Sequence, residues 1–254
     1  RGLVWKKIVN FLQPDNDLGY LEAIRIDLYS QLGKYLPGKV FAPLGKIYLA
    51  RNKNISKKNL YLSVVFDAIL SIAAAFSISL FLIGFFLDCN INLFNFYLIG
   101  LLAVIGGLAA THHRVIQYLI KLFLTKRKKE LIDLNFDLSW INRVKIILYY
   151  AFVNFWIGFG FFYLIKSITY LSIQNLLSVI GIYILAGVLG LTAFFAPSGL
   201  GIREGVLVLF LQFYFPLNIA ILISLLARVW TILGDLFLAG GFYLPNIFKK
   251  IKYR

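Results

Sequence analysis

Long apolar runs, separated by short polar and basic stretches, make up most of this chain. Four of them, residues 60–87, 146–165, 176–195 and 217–244, reach the roughly 20 residues that a helix needs to cross the hydrocarbon core. Two shorter apolar runs lie at 96–110 and 206–215. Because only helices satisfy the backbone within such isolated spans, the pattern predicts an all-α, polytopic transmembrane helical bundle.

Two interruptions that carry proline and glycine divide this pattern. The first contains Pro37 and Gly38, and the second extends from Pro197 to Gly205. Each is followed by an apolar stretch and then by a long predicted helix with a charge inside it, Asp67 in one case and Arg228 in the other. Paired broken segments in two halves of a chain are typical of transporters built from inverted repeats. We therefore predict broken or re-entrant helices, with two inverted repeats as a hypothesis.

The domain organisation that follows is one integral membrane domain over residues 1–254. Residues 18–87 hold the first broken region and a span, 88–175 hold middle spans and a basic cytoplasmic loop, and 176–254 hold the second broken region and the last span. The run 206–215 fits either a short crossing or a re-entrant element. The chain starts with Arg1 and has no methionine, so we expect an N-terminal truncation.

Composition supports the membrane assignment. The chain is 60% hydrophobic and only 15% charged, against about 25% charged residues in soluble domains. Its net charge of +15 is concentrated in 46–58, 121–145 and the C-terminus, which is the positive-inside pattern. We expect a protein integral to the cytoplasmic (plasma) membrane with a cytoplasmic C-terminus, and no nucleic-acid partner.

The chain offers little for soluble catalysis. It has a single cysteine, and its two histidines, His112 and His113, are adjacent, so they point to different sides of a helix. No paired carboxylates in a cleft, serine–histidine–aspartate order or phosphate-binding loop is visible. We therefore predict no metal, no cofactor and no catalytic residue.

The candidate binding residues lie mainly in the second interruption. Gly199, Gly201 and Gly205 permit unusual φ values, and a helix that starts near Gly201 would attract anions. Arg203 supplies a planar donor set that suits phosphate, while Glu204 could pair with Arg228, take a proton or orient a neighbouring helix. The alternative is a structural kink with an internal ion pair. The predicted substrate-binding residues are Pro197, Gly199, Gly201, Arg203, Glu204, Arg228, Pro37 and Gly38.

Charges within the spans need partners. Arg228 and Asp235 are seven residues apart, which places them on one helix face but about 10 Å apart along the axis. Each therefore requires a partner on another element, and Glu204, Arg203 and Asp67 are the candidates. We predict that Asp67 and Asp235 take part in structural ion pairs.

The segment Pro197-Ser198-Gly199-Leu200-Gly201-Ile202-Arg203-Glu204, followed by a short apolar helix and a span with Arg228, resembles the lysylphosphatidylglycerol synthase transmembrane-region family. The segment 35–38 is similar to that family's earlier Pro-Gly element. The resemblance implies an integral membrane protein of flippase-like type, associated with moving lipids or glycolipids between leaflets. Some members carry a cytoplasmic aminoacyl-transferase domain, which is not visible in this chain and argues against synthase activity. Members usually start with further spans, in line with the expected truncation.

The resulting hypothesis is translocation or binding of a phosphate-bearing lipid or glycolipid, either anionic or linked to a polyprenyl phosphate. Its headgroup would enter a wet groove between the two broken regions, where Arg203, Arg228 and the helix start hold the phosphate. One alternative is a membrane-embedded lipid-modifying transferase with Glu204 as general base. Another is an accessory partner of a membrane glycosyltransferase. A second copy of the chain is a further partner hypothesis.

Overall fold

The computed structural model describes residues 1–36, 40–86, 93–112, 115, 139–193 and 196–252. These residues form helices and contain no β-strand, which confirms the all-α prediction. The described residues also contain three 3-10 turns, at Gly33–Tyr35, Ile173–Asn175 and Pro197–Gly199. The helices of the described residues are α1 (Gly2–Leu12), α2 (Tyr20–Leu32), α3 (Phe41–Ala50), α4 (Lys57–Phe86), α5 (Leu93–Ala110), α6 (Trp140–Lys166), α7 (Leu176–Thr192), α8 (Ile202–Leu211) and α9 (Leu217–Lys252).

Four segments of the described chain are long and apolar enough to cross a membrane: Lys57–Gly84, Trp140–Lys166, Ile173–Thr192 and Leu217–Gly241. Each overlaps one of the four long runs predicted from the sequence. The predicted run 96–110 falls within α5, whose apolar part Leu98–Ala110 is shorter. These spans confirm an integral membrane protein.

Helix α4 is the central element, since α5, α6 and α7 all pack against it. The approach of α5 depends on a glycine: a Cβ added at Gly107 would lie 2.4 Å from the Cβ of Ala73 on α4. Gly107 therefore allows close helix packing, as small residues do between membrane helices.

Helices α2 and α3 form the first hairpin, residues 20–50. Lys53, just after α3, pairs with Glu22 in the first turn of α2 at 2.5 Å. This hydrogen bond, together with the one from the Gly19 N–H, holds the pKa of Glu22 below its usual range. The chain therefore leaves the first hairpin at the end where it entered, and the 3-10 turn Gly33–Tyr35 begins the turn at its tip.

Helices α7 and α8 form the second hairpin, residues 176–211. The hydroxyl of Tyr214, which follows α8, donates a hydrogen bond to Oγ of Ser178 in the first turn of α7 at 2.8 Å. The chain has thus returned to the level at which it entered. The second interruption, with its 3-10 turn Pro197–Gly199, forms the tip of this hairpin.

The two hairpins start from opposite ends of α4. Leu60, near the start of α4, packs with Ala23 and Ala50 of the first hairpin. Ile83, near the other end, packs in one cluster with Val179 and Leu211 of the second hairpin. At 1.5 Å per residue these two levels are about 35 Å apart. The tips nevertheless meet, because the turn Gly33–Tyr35 contacts the turn Pro197–Gly199.

Both hairpins share one order of elements. Each has a longer first helix and a tip, followed by a second helix of 10 residues, α3 in one case and α8 in the other. A short connection then leads to a long apolar helix, α4 or α9. The same order of a broken segment, an apolar stretch and a long helix was noted twice in the sequence.

Candidate functional site

The candidate site lies where the two hairpin tips meet in front of α9. We call it the junction and define it by Lys34, Tyr35, Ser198–Glu204, Arg228 and Asp235. Two of the sequence-predicted residues, Pro37 and Gly38, lie outside the described residues. Pro197 begins the 3-10 turn at the tip of the second hairpin. The junction therefore brings Lys34 and Tyr35, which lie just before the first interruption, to the second interruption.

The backbone of the second interruption is left-handed at three positions: Ser198 has φ 51°, Gly199 has φ 70° and Gly201 has φ 82°. L side chains rarely adopt this region, and glycine enters it at little cost. Gly199 also lies flush against α7, because a Cβ added there would come within 2.7 Å of the backbone of Gly190. Two glycines thus allow the tip to pack backbone to backbone against α7.

This close approach predicts different outcomes for two alanine substitutions in α7. A Cβ at Gly190 would lie 3.0 Å from the Cβ of Arg203, whereas a Cβ at Gly187 meets nothing within 4 Å. Both changes gain about 0.5–1 kcal/mol of helix propensity, but overpacking costs typically 1–3 kcal/mol. Gly190→Ala should therefore unfold at a lower temperature than Gly187→Ala in detergent. Equal melting temperatures for the two variants would contradict this packing.

Glu204 compensates two groups at once. Its Oε2 accepts the backbone N–H of Gly201 at 2.8 Å, which caps the start of α8. Its Oε1 accepts a hydrogen bond from Nη1 of Arg228 at 2.9 Å. The same Nη1 also contacts the Ser198 carbonyl oxygen at 3.3 Å. The carboxylate of Glu204 therefore compensates both the charge of Arg228 and the N–H at the start of α8. Through Arg228 it also attaches α9 to the tip of the second hairpin.

Asp235 connects α9 to the first tip. Its Oδ2 accepts the hydroxyl of Tyr35 at 2.6 Å and pairs with Nζ of Lys34 at 2.6 Å. The sequence suggested Arg203 as a cationic partner for this carboxylate, and the structure shows Lys34 instead. The sequence contained a signal for this pairing, because Lys34 and Tyr35 lie just before the Pro37-Gly38 interruption.

Arg203 differs from the other cations of the junction. Its guanidinium lies over the ring of Tyr183, 4.9 Å from the ring centroid, and its side chain is half-buried. In the described part of the chain, no carboxylate lies within ion-pair distance of Arg203, whereas Lys34 and Arg228 each have one. The three cations and two carboxylates of the junction leave one positive charge in excess.

Asp67, on α4, belongs to a separate charged cluster between α4 and the first hairpin. Nζ of Lys46 on α3 lies 2.6 Å from Asp27 on α2 and 2.8 Å from Asp67 on α4. The hydroxyl of Tyr150 on α6 donates to the other oxygen of Asp67, and the ring of Trp5 lies 4.9 Å from the Lys46 ammonium. This cluster attaches the first hairpin to α4 and α6. The sequence predicted an ion pair for Asp67 but did not single out Asp27 or Lys46.

Metal chemistry finds no support in the described ranges, where no group of three His, Cys, Asp or Glu side chains could hold an ion. The chemistry that the junction does offer is that of an anion site, with an uncompensated guanidinium beside a left-handed backbone.

The chain matches a known protein family. The family profile described as lysylphosphatidylglycerol synthase TM region matches residues 1–239. No curated protein and no solved structure matches the chain. Because the profile covers nearly the whole length, the chain belongs to the lysylphosphatidylglycerol synthase TM region family, as the motif around Arg203 indicated.

Proposed function

We propose that this member of the lysylphosphatidylglycerol synthase TM region family binds a phosphate-bearing lipid or glycolipid at the junction and moves its headgroup between the leaflets. The observation that carries the proposal is the position of Arg203. Its guanidinium has no carboxylate partner among the described residues, and it lies where hairpins from opposite ends of α4 meet.

The hairpins are interpreted as re-entrant elements. Helices α3 and α8 have 10 residues each, or about 15 Å, which is half of the roughly 30 Å hydrocarbon core. Two hairpins that enter from opposite leaflets and meet near the midplane are what inverted repeats produce. On this interpretation neither helix of the second hairpin crosses the bilayer completely. The apolar segment Ile173–Thr192 then enters without crossing, and α8, which contains most of the run 206–215, is re-entrant and not a short crossing. A headgroup held at the tips is then close to both leaflets.

The chemistry of the junction suits one phosphate. Arginine presents a planar set of donors that matches phosphate oxygens, and the single excess positive charge balances a phosphodiester. The Tyr183 ring positions the guanidinium by a cation–π contact. Arg228 is assigned a different role from the one suggested by the sequence. Because it is paired with Glu204, it holds the tip of the second hairpin against α9.

The state of Glu204 favours transport over lipid modification. A general base needs a carboxylate that is available to accept a proton from the substrate. Both oxygens of Glu204 already accept hydrogen bonds, one from Gly201 and one from Arg228. A covalently altered lipid after incubation with the purified protein would reverse this preference.

The proposal is tested with the purified protein in vesicles that contain a fluorescent lipid with a phosphodiester headgroup. Translocation is measured as the fraction of label that a membrane-impermeant reductant can reach over time. Since hydrogen bonds to charged groups contribute about 1.5–3 kcal/mol, Arg203→Gln should slow translocation roughly 10- to 100-fold. Arg203→Lys should retain part of the rate, because it keeps the charge but loses the planar donors.

The matched control is Lys57→Gln, which removes a positive charge from an exposed residue at the start of α4, far from the hairpin tips. It should translocate lipid at the wild-type rate. Thermal unfolding must show that Arg203→Gln remains folded. A folded Arg203→Gln variant with an unchanged rate would reject Arg203 as the headgroup residue.

A further inference from the structure

A cavity lies away from the junction, between α1 and the first turns of α6. Its volume is about 310 Å³, and the described residues that line it are three of α1 and three of α6: Lys7, Asn10, Phe11, Asn142, Lys145 and Tyr149. No residue of the junction lines this cavity, and no step of the proposed transport uses it.

The lining has the character of an anion site. Among the described residues, two lysines contribute to it and no carboxylate does. The Lys7 ammonium lies over the ring of Tyr149, 3.6 Å from its centroid, and Lys145 precedes Tyr149 by one helical turn. The side-chain oxygen of Asn10 already accepts from Asn16 at 3.0 Å and from Lys6 at 3.4 Å. What Asn10 retains for a ligand is therefore its N–H donor.

An exposed apolar stripe continues from this cavity along α6. Leu148 is 63% exposed, Phe152 is 63% exposed and Trp156 is 54% exposed. These residues recur every fourth position, so they share one face of the helix, and that face begins beside Lys145. Cations at the start of a span and apolar side chains beyond them match the two parts of a phospholipid, an anionic headgroup and its acyl chains.

We propose that this cavity binds the headgroup of an anionic phospholipid, with its phosphate between Lys7 and Lys145 and its acyl chains along Leu148, Phe152 and Trp156. The bound lipid ties α1 to α6 across the cavity and thereby stabilises the folded protein. The ligand is a resident membrane lipid, and the proposal does not depend on transport at the junction.

The test measures thermal unfolding of delipidated protein in micelles with increasing phosphatidylglycerol. Wild-type protein should gain stability with phosphatidylglycerol and gain little with phosphatidylcholine or with free glycerol phosphate. Because each lysine near a membrane surface contributes about 1 kcal/mol toward anionic lipid, Lys7→Gln and Lys145→Gln should each weaken the apparent lipid affinity about fivefold. The double variant should lose it about 25-fold, and Lys7→Arg with Lys145→Arg should retain most of it. Native mass spectrometry should show fewer bound phosphatidylglycerol molecules on the double glutamine variant.

One control separates this site from general charge effects, and one background separates it from the junction. Lys57→Gln removes an exposed charge and should keep the wild-type lipid response. In an Arg203→Gln background, which removes headgroup binding at the junction, Lys7→Gln with Lys145→Gln should cause the same further loss of response. An unchanged response of the double glutamine variant, or an equal loss in Lys57→Gln, would overturn the proposal. A full response to glycerol phosphate alone would show that the site binds a free anion and not a membrane lipid.

Discussion

Lys46→Gln is expected to lower the free energy of unfolding by about 3–5 kcal/mol, the range measured when one partner of a buried ion pair is removed. The ammonium of Lys46 lies between Asp27 at 2.6 Å and Asp67 at 2.8 Å, and its side chain is only 5% exposed. Glutamine keeps a polar side chain, one bond shorter than that of lysine, but removes the charge. Two carboxylates then remain close together without the ammonium that bridges them.

The three elements involved make this loss larger than that of a surface pair. Asp27 and Lys46 belong to the first hairpin, whereas Asp67 belongs to the central helix α4. The Lys46 contact with Trp5, at 4.9 Å, is lost as well, and such cation–π contacts contribute up to about 2 kcal/mol when desolvated. We therefore expect the first hairpin to pack less tightly against α4, in addition to the lower free energy of global unfolding.

Chemical unfolding in detergent or mixed micelles measures this effect. The matched control is Lys57→Gln, the same substitution at an exposed position, which should change stability by less than about 0.5 kcal/mol. Adding Asp27→Asn and Asp67→Asn to Lys46→Gln removes the uncompensated charges and should restore much of the stability. A Lys46→Gln variant as stable as Lys57→Gln would show that the cluster does not hold the hairpin.

The second large effect is expected for Glu204→Ala, at about 2–4 kcal/mol. Loss of a helix cap costs typically 0.5–2 kcal/mol, and Arg228, whose side chain is 13% exposed, is left without its carboxylate. Glu204→Gln should lie between wild type and alanine, because it can still cap α8 but no longer balances Arg228. The comparison separates the contribution of the cap from that of the charge.

A double-mutant cycle with Arg228→Met isolates the pair. The double variant Glu204→Ala with Arg228→Met should be more stable than the two single losses predict when added, with an interaction energy of about 1–3 kcal/mol. Additive losses would mean that the 2.9 Å contact does not bind α9 to the second tip.

Much of the architecture could be predicted because it depends on local properties of the chain. The four long apolar segments follow from the lengths of apolar runs. The tip of the second hairpin falls at the predicted Pro197–Gly205 interruption, and the first tip begins just before Pro37. The left-handed backbone at Gly199 and Gly201 agrees with the conformational freedom that glycine was expected to supply. The family followed from the motif around Arg203, and the profile match confirms it.

The pairing of charges was harder to predict. Tyr35 and Asp235 are 200 residues apart in sequence, and no periodicity links positions so distant. Arg228 could be matched to Glu204 only as one of several options, because the two residues are 24 positions apart in sequence. Asp27 and Lys46 looked like residues of an amphipathic helix and a basic loop. The structure buries both, with the Lys46 ammonium between Asp27 and Asp67.

The sequence by itself determined that this protein is a helical membrane protein, where its helices break, and to which family it belongs. These properties depend on how each segment interacts with lipid or with its own backbone, and neighbouring residues decide that. Only the tertiary structure decided which cations are compensated, because an ion pair forms between side chains that the fold brings within a few ångströms. That is why Arg228 is held by Glu204, Lys34 is held by Asp235, and Arg203 is left facing Tyr183.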